Sequence, residues 1–402
     1  MIIAIATFPA VATSQTLASP PTAGQELNSQ IQLGDVISGQ TLHVASAPEG
    51  VSAQASSVGN AVAASGPGAN LQFTSSQAMQ GNTAALVSAV ADNGATPSMT
   101  VTASATANTG NAATNGAIVS GTVNQTVASG MQVTADAYPG TGGGPSTGVS
   151  TSANAIGNTQ GWAAISGAIT SSTTQTEGGL VHAYDQATIC CTTDASTYNA
   201  TAVANNVTAD TTSSTAYLAV SQTRDPGVVE AGVVAHQSSG ADMTAASVAT
   251  ANNINAAGSG DWITLQSTQS NAGDVNATAA LSTASWSGVA SSSAYAMANS
   301  ALVSNSGVSA ELGADQTSSG NVAAQASFGA TGQGVGAASA TAVGNAASVY
   351  ACSACGVGVG ATVRQTNSGG VSASSSVTGA GGRATGSANA VGNNLTIQVK
   401  SN

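Results

Sequence analysis

Apolar and polar positions alternate one for one through most of this chain. Val101, Ala103, Ala105 and Ala107 fall on one side of their segment, and Thr102, Ser104 and Thr106 on the other. Ala338, Ala340 and Ala342 alternate in the same way with Ser339 and Thr341, and Val371, Ala373, Ser375 and Val377 line one side of a further segment. A period of two is that of a strand whose side chains point to opposite faces, and no window carries the stripe of an amphipathic helix. Gly-rich turns part such segments into groups of three, as in 359–365, 371–377 and 383–390.

The groups recur. Asn60, Asn111, Asn158, Asn206, Asn253, Asn299, Asn345 and Asn393 each close a Ser/Thr/Ala-rich run, at successive spacings of 51, 47, 48, 47, 46, 46 and 48 residues. Gln30, Gln77, Gln125, Gln175, Gln222, Gln269, Gln316 and Gln365 form a second series, spaced by 47, 48, 50, 47, 47, 47 and 49. Two series with one period define a structural repeat. Three strands per repeat predict an all-β fold, a right- or left-handed β-solenoid of about eight repeats of about 47 residues. Each coil then lies on the one before at roughly 4.8 Å, giving a rod of about 38 Å, or twice that if each repeat winds two coils. Equivalent Asn and Gln side chains would stack into amide ladders, although in the second repeat Asn108 competes with Asn111 for the place.

The chain divides by the same reading into a signal peptide at 1–12, a lead-in at 13–29, the solenoid at 30–394 and a C-terminal edge strand at 395–402. Residues 1–12 are apolar and end in Ala10-Val11-Ala12, the small-x-small pattern of a secretory cleavage site, so export is expected. No later run is long enough to span a membrane. Bare solenoid ends invite edge-to-edge polymerisation; Lys400 and the prolines Pro9, Pro20 and Pro21 stand where they would guard against it.

Composition narrows the function. Only 5% of residues are charged and 3% aromatic, while 42% are hydrophobic, mostly Ala and Val. Such a chain has little bulky apolar area with which to offset chain entropy, so hydrogen-bond ladders must carry more of its stability than usual. Four Lys plus Arg against 16 Asp plus Glu, a net charge of −12, argue against nucleic acid and against docking on anionic lipid.

Candidate chemistry is sparse. His43, His182 and His236 occupy different places in their repeats, so no catalytic residue, cofactor site or metal site is assigned. Arg224, flanked by Asp225 and Glu230, is the one candidate for lyase chemistry, against the simpler reading of a solvated ion pair. Cys190-Cys191 and Cys352 with Cys355 can close only small loops, and a disulfide is the reading for the latter pair. Trp162, Trp262, Trp286, Tyr184, Tyr217, Tyr295 and Tyr350 do not recur at one repeat position and read as scattered surface aromatics.

An export signal, an acidic Ala/Ser/Thr/Gly-rich chain of this length, and repeats carrying Val58-Gly59-Asn60-Ala61, Val343-Gly344-Asn345-Ala346 and Arg364-Gln365-Thr366-Asn367 together resemble the HfaD-type holdfast anchor proteins of stalked Alphaproteobacteria. The resemblance implies a non-catalytic adhesin at the cell surface, associated with the outer membrane. It would hold a holdfast-type polysaccharide together with other anchor proteins, an outer-membrane lipoprotein and a curlin-like subunit. The alternatives are a self-assembling, amyloid-like matrix subunit, since the markers also resemble those of curlin, and a β-helix polysaccharide lyase.

Overall fold

The computed structural model of the chain describes residues 24–45, 47–92, 97–331, 334–352, 358–379 and 382–400. The expected signal peptide, most of the lead-in and Cys355 lie outside them. Each repeat winds one coil of three strands. The first coil is β1 (Gln25–Gln32), β2 (Val36–Val44) and β3 (Val51–Pro67); the second is β4 (Leu71–Met79), β5 (Thr83–Ala91) and β6 (Ser98–Asn115). The third is β7 (Ile118–Val127), β8 (Gln132–Thr141), the two-residue β9 (Pro145–Ser146) and β10 (Gly148–Ile165); the fourth is β11 (Ala168–Glu177), β12 (Leu180–Thr192) and β13 (Ser196–Thr212). Then follow β14 (Thr215–Arg224), β15 (Val228–Gly240) and β16 (Met243–Gly258), and β17 (Trp262–Asn271), β18 (Asp274–Trp286) and β19 (Val289–Asn305). The last two coils are β20 (Ser309–Ser318), β21 (Val322–Ala330) and β22 (Val335–Cys352), and β23 (Gly358–Asn367), β24 (Val371–Gly379) and β25 (Arg383–Lys400).

Strands one coil apart pair in parallel, so three sheets run the length of the rod: one from β1 to β23, one from β2 to β24 and one from β3 to β25. With one coil per repeat the rod is about 38 Å long, the shorter of the two lengths expected. Residues 25–29 lie within β1, and 395–400 lie within β25, the last strand of the third sheet. Among the described residues no helix is long and apolar enough to cross a membrane.

The third sheet is built of unusually long strands, and its inner face changes hands half way along. In β6, Val101, Ala103, Ala105 and Ala107 are buried, but so is Asn108, after which the even positions Gly110, Ala112 and Thr114 point inward. The same double burial falls at Gly59-Asn60, Gly157-Asn158, Ala204-Asn205, Ala251-Asn252, Ala298-Asn299 and Gly344-Asn345. One residue out of phase redirects the second half of the strand toward a different neighbour. The first halves pack on the second sheet in an Ala-rich core that includes Val87, Ala103, Val133, Ala183 and Val229. The second halves pack on the first sheet around Phe73, Val123, Trp162, Leu218 and Ile254.

The corner after the long strand takes a left-handed residue in the first four coils: Gly68 and Gly116 at φ 70° and 72°, then Ser166 and Ser213 at 52° and 49°. Glycine is the residue suited to that geometry; serine occupies it at some cost in strain.

Candidate functional site

Between the two cores run two columns of amides. Each Asn at the phase change donates through Nδ2 to Oδ1 of the Asn in the following coil, in the order Asn60, Asn108, Asn158, Asn205, Asn252, Asn299, Asn345, Asn393, at 2.7–2.9 Å. The second N–H donates to a carbonyl of the first sheet, as from Asn108 to Thr126 at 3.0 Å and from Asn158 to Thr176 at 2.9 Å. The glutamines form the other column, Gln30, Gln77, Gln125, Gln175, Gln222, Gln269, Gln316 and Gln365, in which each Nε2 donates to Oε1 of the preceding coil at 2.7–3.0 Å. Their second N–H reaches back to the third sheet, as from Gln77 to the Thr109 carbonyl at 3.0 Å and from Gln175 to that of Asn206 at 2.9 Å. Each interior amide thus uses both donors and its oxygen, the condition under which buried polar groups stabilise instead of costing.

Three of the marker asparagines stand elsewhere. Asn111 is exposed and pairs with Gly161, three residues beyond Asn108, which occupies the column. Asn206 and Asn253 each follow the inward residue, Asn205 and Asn252, and face away from the column. They join one another through a bond of 2.8 Å from Asn253 Nδ2 to Asn206 Oδ1.

Two positions along from the glutamines lies a column that holds a charged pair. Glu177 and Arg224 are register partners in successive coils, and both are fully buried. Arg224 is therefore not a solvated ion pair with Asp225 and Glu230. Its guanidinium donates to the carbonyls of Glu177, Gly179 and Asp225, and its Nε has no partner. Glu177 accepts the Gly179 N–H at 2.9 Å through Oε1, while Oε2 is unpartnered. Burial pushes the Glu177 carboxyl up to about 8, against the pull of Arg224. Gly157 accommodates this carboxylate: a Cβ there would stand 2.2 Å from Glu177 Oε2 and 2.6 Å from the Ala204 carbonyl oxygen. Asp185, buried in the other core, accepts from the Thr151 hydroxyl and the Asn199 N–H; burial raises it to about 7. Nearby, the Tyr198 hydroxyl donates to Gln237 Oε1 at 2.8 Å, and Gln237 Nε2 donates to Thr192 Oγ1 at 2.6 Å. Cys190 and Cys191 are joined in a disulfide.

The outward positions of the sheets divide the aromatics. Trp162 and Trp286 are core residues, packed edge-to-face on Phe73 and Phe328. Trp262 and Tyr217 are about 40% exposed (41% and 42%) and sit as diagonal neighbours on the outer face of the first sheet. Further along the same face a groove of about 740 Å³, which neither ring lines, crosses successive coils from Ala219 and Gln266 onward. Its floor is kept low by Ala219 and Gly313, and its polar lining includes Thr174, Ser221, Gln266, Thr268, Glu311 and the ion-paired Asp315 and Arg364. On the second sheet, His182 lies between Asp136 and Glu230 at 3.6 and 3.4 Å and stacks on Tyr184, with Tyr138 at that ring's edge. Among the described residues there is no cluster of three or more His, Cys, Asp or Glu able to hold a metal ion.

The amide columns were half legible in the sequence. The groove was not, because it depends on which small outward residues fall in adjacent coils.

No curated protein and no solved structure matches the chain. The family model described as holdfast attachment protein D matches residues 45–321, more than half of the sequence and seven of its eight coils in whole or part. The repeat architecture and this match agree, and the chain belongs to the holdfast attachment protein D (HfaD) family.

Proposed function

We propose that this chain is a non-catalytic anchor that holds the polysaccharide of a holdfast at the cell surface, with the outer face of its first sheet as the glycan-binding wall. Family membership supports a role in holdfast attachment. The observation that carries the choice of wall is that the groove and the exposed Trp262 and Tyr217 share one sheet face. Extended glycans are bound by shallow clefts that combine flat aromatic surfaces, which pack on sugar rings, with rows of hydroxyl, amide and carboxylate groups that match the sugar hydroxyls. This wall presents both on a rigid sheet, so little order is lost on binding.

Association with the outer membrane, through a lipoprotein and a curlin-like subunit, belongs to the same reading. Lyase chemistry has no support from Arg224, whose guanidinium is sealed inside the rod.

Retention of the purified protein on immobilised holdfast polysaccharide tests the proposal. The wild-type chain is expected to bind, and the double variant Tyr217→Ala/Trp262→Ala to lose at least tenfold in affinity with its urea midpoint unchanged. Equal binding by the two would move the site to another wall, and no binding by either would remove the function.

A further inference from the structure

The groove on the first sheet has a direction. Its floor follows one column of register partners, Ala219, Gln266, Gly313 and Thr362, and reaches back to Ser172, so it runs along the rod axis and across the strands. The neighbouring column, from Thr174 through Thr268 to Arg364, forms one wall. Coils about 4.8 Å apart make this a channel about 19 Å long, and outward residues of one strand stand only about 7 Å apart, so two columns keep it narrow.

The lining is polar and almost free of net charge. Ser172, Thr174 and Thr268 are exposed, and their hydroxyls hold no hydrogen bond with another described residue. Gln266 bends along the axis, and its amide lies over Gly313, where a Cβ would stand 2.0 Å from the Gln266 Oε1. Asp315 and Arg364 pair with one another, which leaves Glu311 as the one lining carboxylate without a basic partner among the described residues. A chain of acidic sugars would bring carboxylates within a Debye length of Glu311, in a protein whose net charge is already −12. An uncharged chain meets hydroxyls and an amide that match its own groups. One coil spacing is also close to the advance of one pyranose in an extended glycan, so the lining groups recur in step with the sugars.

We propose that the groove takes a linear stretch of uncharged pyranoses laid along the rod axis, about one sugar per coil, over the five coils from Ser172 to Thr362. This rests on the glycan-binding reading of the wall and adds the direction, length and charge class of the ligand.

Oligosaccharides cut from holdfast polysaccharide by partial hydrolysis and sorted by length, titrated calorimetrically into the full chain, test it. Affinity is expected to rise about tenfold or more from disaccharide to pentasaccharide and to change about twofold or less beyond, because further sugars find no further coil of the groove. An oligogalacturonide pentasaccharide is expected not to bind. Ala219→Ile and Gly313→Val, two coils apart on the floor, should each weaken the pentasaccharide about tenfold with strand circular dichroism and urea midpoint retained, while Thr278→Ile on the second sheet should leave it unchanged. If the polysaccharide binds but affinity is the same at every length, the axial arrangement is overturned and the glycan-binding wall stands. Oligogalacturonide binding as tight as the holdfast fragments, or full affinity in both folded floor variants, would overturn it too. A wild-type chain that binds neither polysaccharide nor fragments would remove the glycan-binding reading itself, and this inference with it.

Discussion

Asn158 and Asn205, one coil apart in the middle of the rod, are joined by an amide–amide hydrogen bond of 2.9 Å, and Asn158 donates a second to the Thr176 carbonyl of a different sheet. One side chain therefore ties coil to coil and wall to wall.

Removing it leaves several partners unpaired at once. Asn158→Ala strands the Asn108 donor and the Thr176 carbonyl in a buried place, and is expected to cost about 2–4 kcal/mol, read as a fall in the urea midpoint at constant slope. Asn111→Ala, at an exposed position outside the column, is expected to fall within about 0.5 kcal/mol of wild type. Equal effects of the two substitutions would contradict the assignment of Asn108 to the column.

Stability is expected to fall as pH rises across the neutral range. Glu177 and Asp185 have folded-state values of about 8 and about 7, raised by burial from the ordinary carboxylate values of 4.5 and 3.8. Between the unfolded and folded values the unfolded chain has lost protons that the folded chain keeps, so each unit of pH weakens folding, by up to about 1.4 kcal/mol per group. The contribution is fully present below about pH 4 and lost as pH passes 7–8. Unfolding midpoints from pH 5 to 9 should decline, and Glu177→Gln together with Asp185→Asn should flatten the profile.

Gly157 and Glu177 should be energetically coupled. Gly157→Ala places a methyl against the carboxylate and is expected to cost about 1–3 kcal/mol. In a Glu177→Ala background the part of that cost due to the carboxylate should disappear while the 2.6 Å approach to the Ala204 carbonyl oxygen remains, which a double-mutant cycle on unfolding free energies would register as non-additivity above about 0.5 kcal/mol.

The buried pair should also respond asymmetrically. At pH 9, above the folded-state value of Glu177, Arg224→Met alone leaves the buried carboxylate without its neighbouring charge and is expected to cost about 3–5 kcal/mol, whereas Glu177→Leu with Arg224→Met removes both ions and should restore much of it. Thermal unfolding of the three proteins at one pH distinguishes them.

The sequence reading reached the solenoid and the glutamine register because the Gln series keeps a near-constant spacing in strands of plain two-residue alternation. The asparagines misled it at three places. Where Asn205-Asn206 and Asn252-Asn253 offer two candidates, spacing alone does not say which points inward, and Asn111 kept the period less well than Asn108. At the Asn pairs a local signal decides: each column Asn follows a Gly or Ala, from Gly59-Asn60 to Gly392-Asn393, where a small residue lets neighbouring backbone come close; it does not separate Asn108 from Asn111, which follows Gly110. The fate of Arg224 had no such signal, since its position is filled by Met79, Val127, Glu177, Asn271, Ser318 and Asn367 in other coils. Trp162 is inside because its neighbours in the adjacent coils, Ala112 and Ala209, leave room for an indole, a fact of three coils together and not of one repeat.

The opposed sense of the two amide columns has an electrostatic result. In an α-helix all peptide dipoles add, so the termini carry partial charges. Here every extra turn brings one side-chain dipole of each sense, and their sum stays near zero however many turns are stacked. The fold can therefore be extended by duplication of its unit without accumulating a field along its axis.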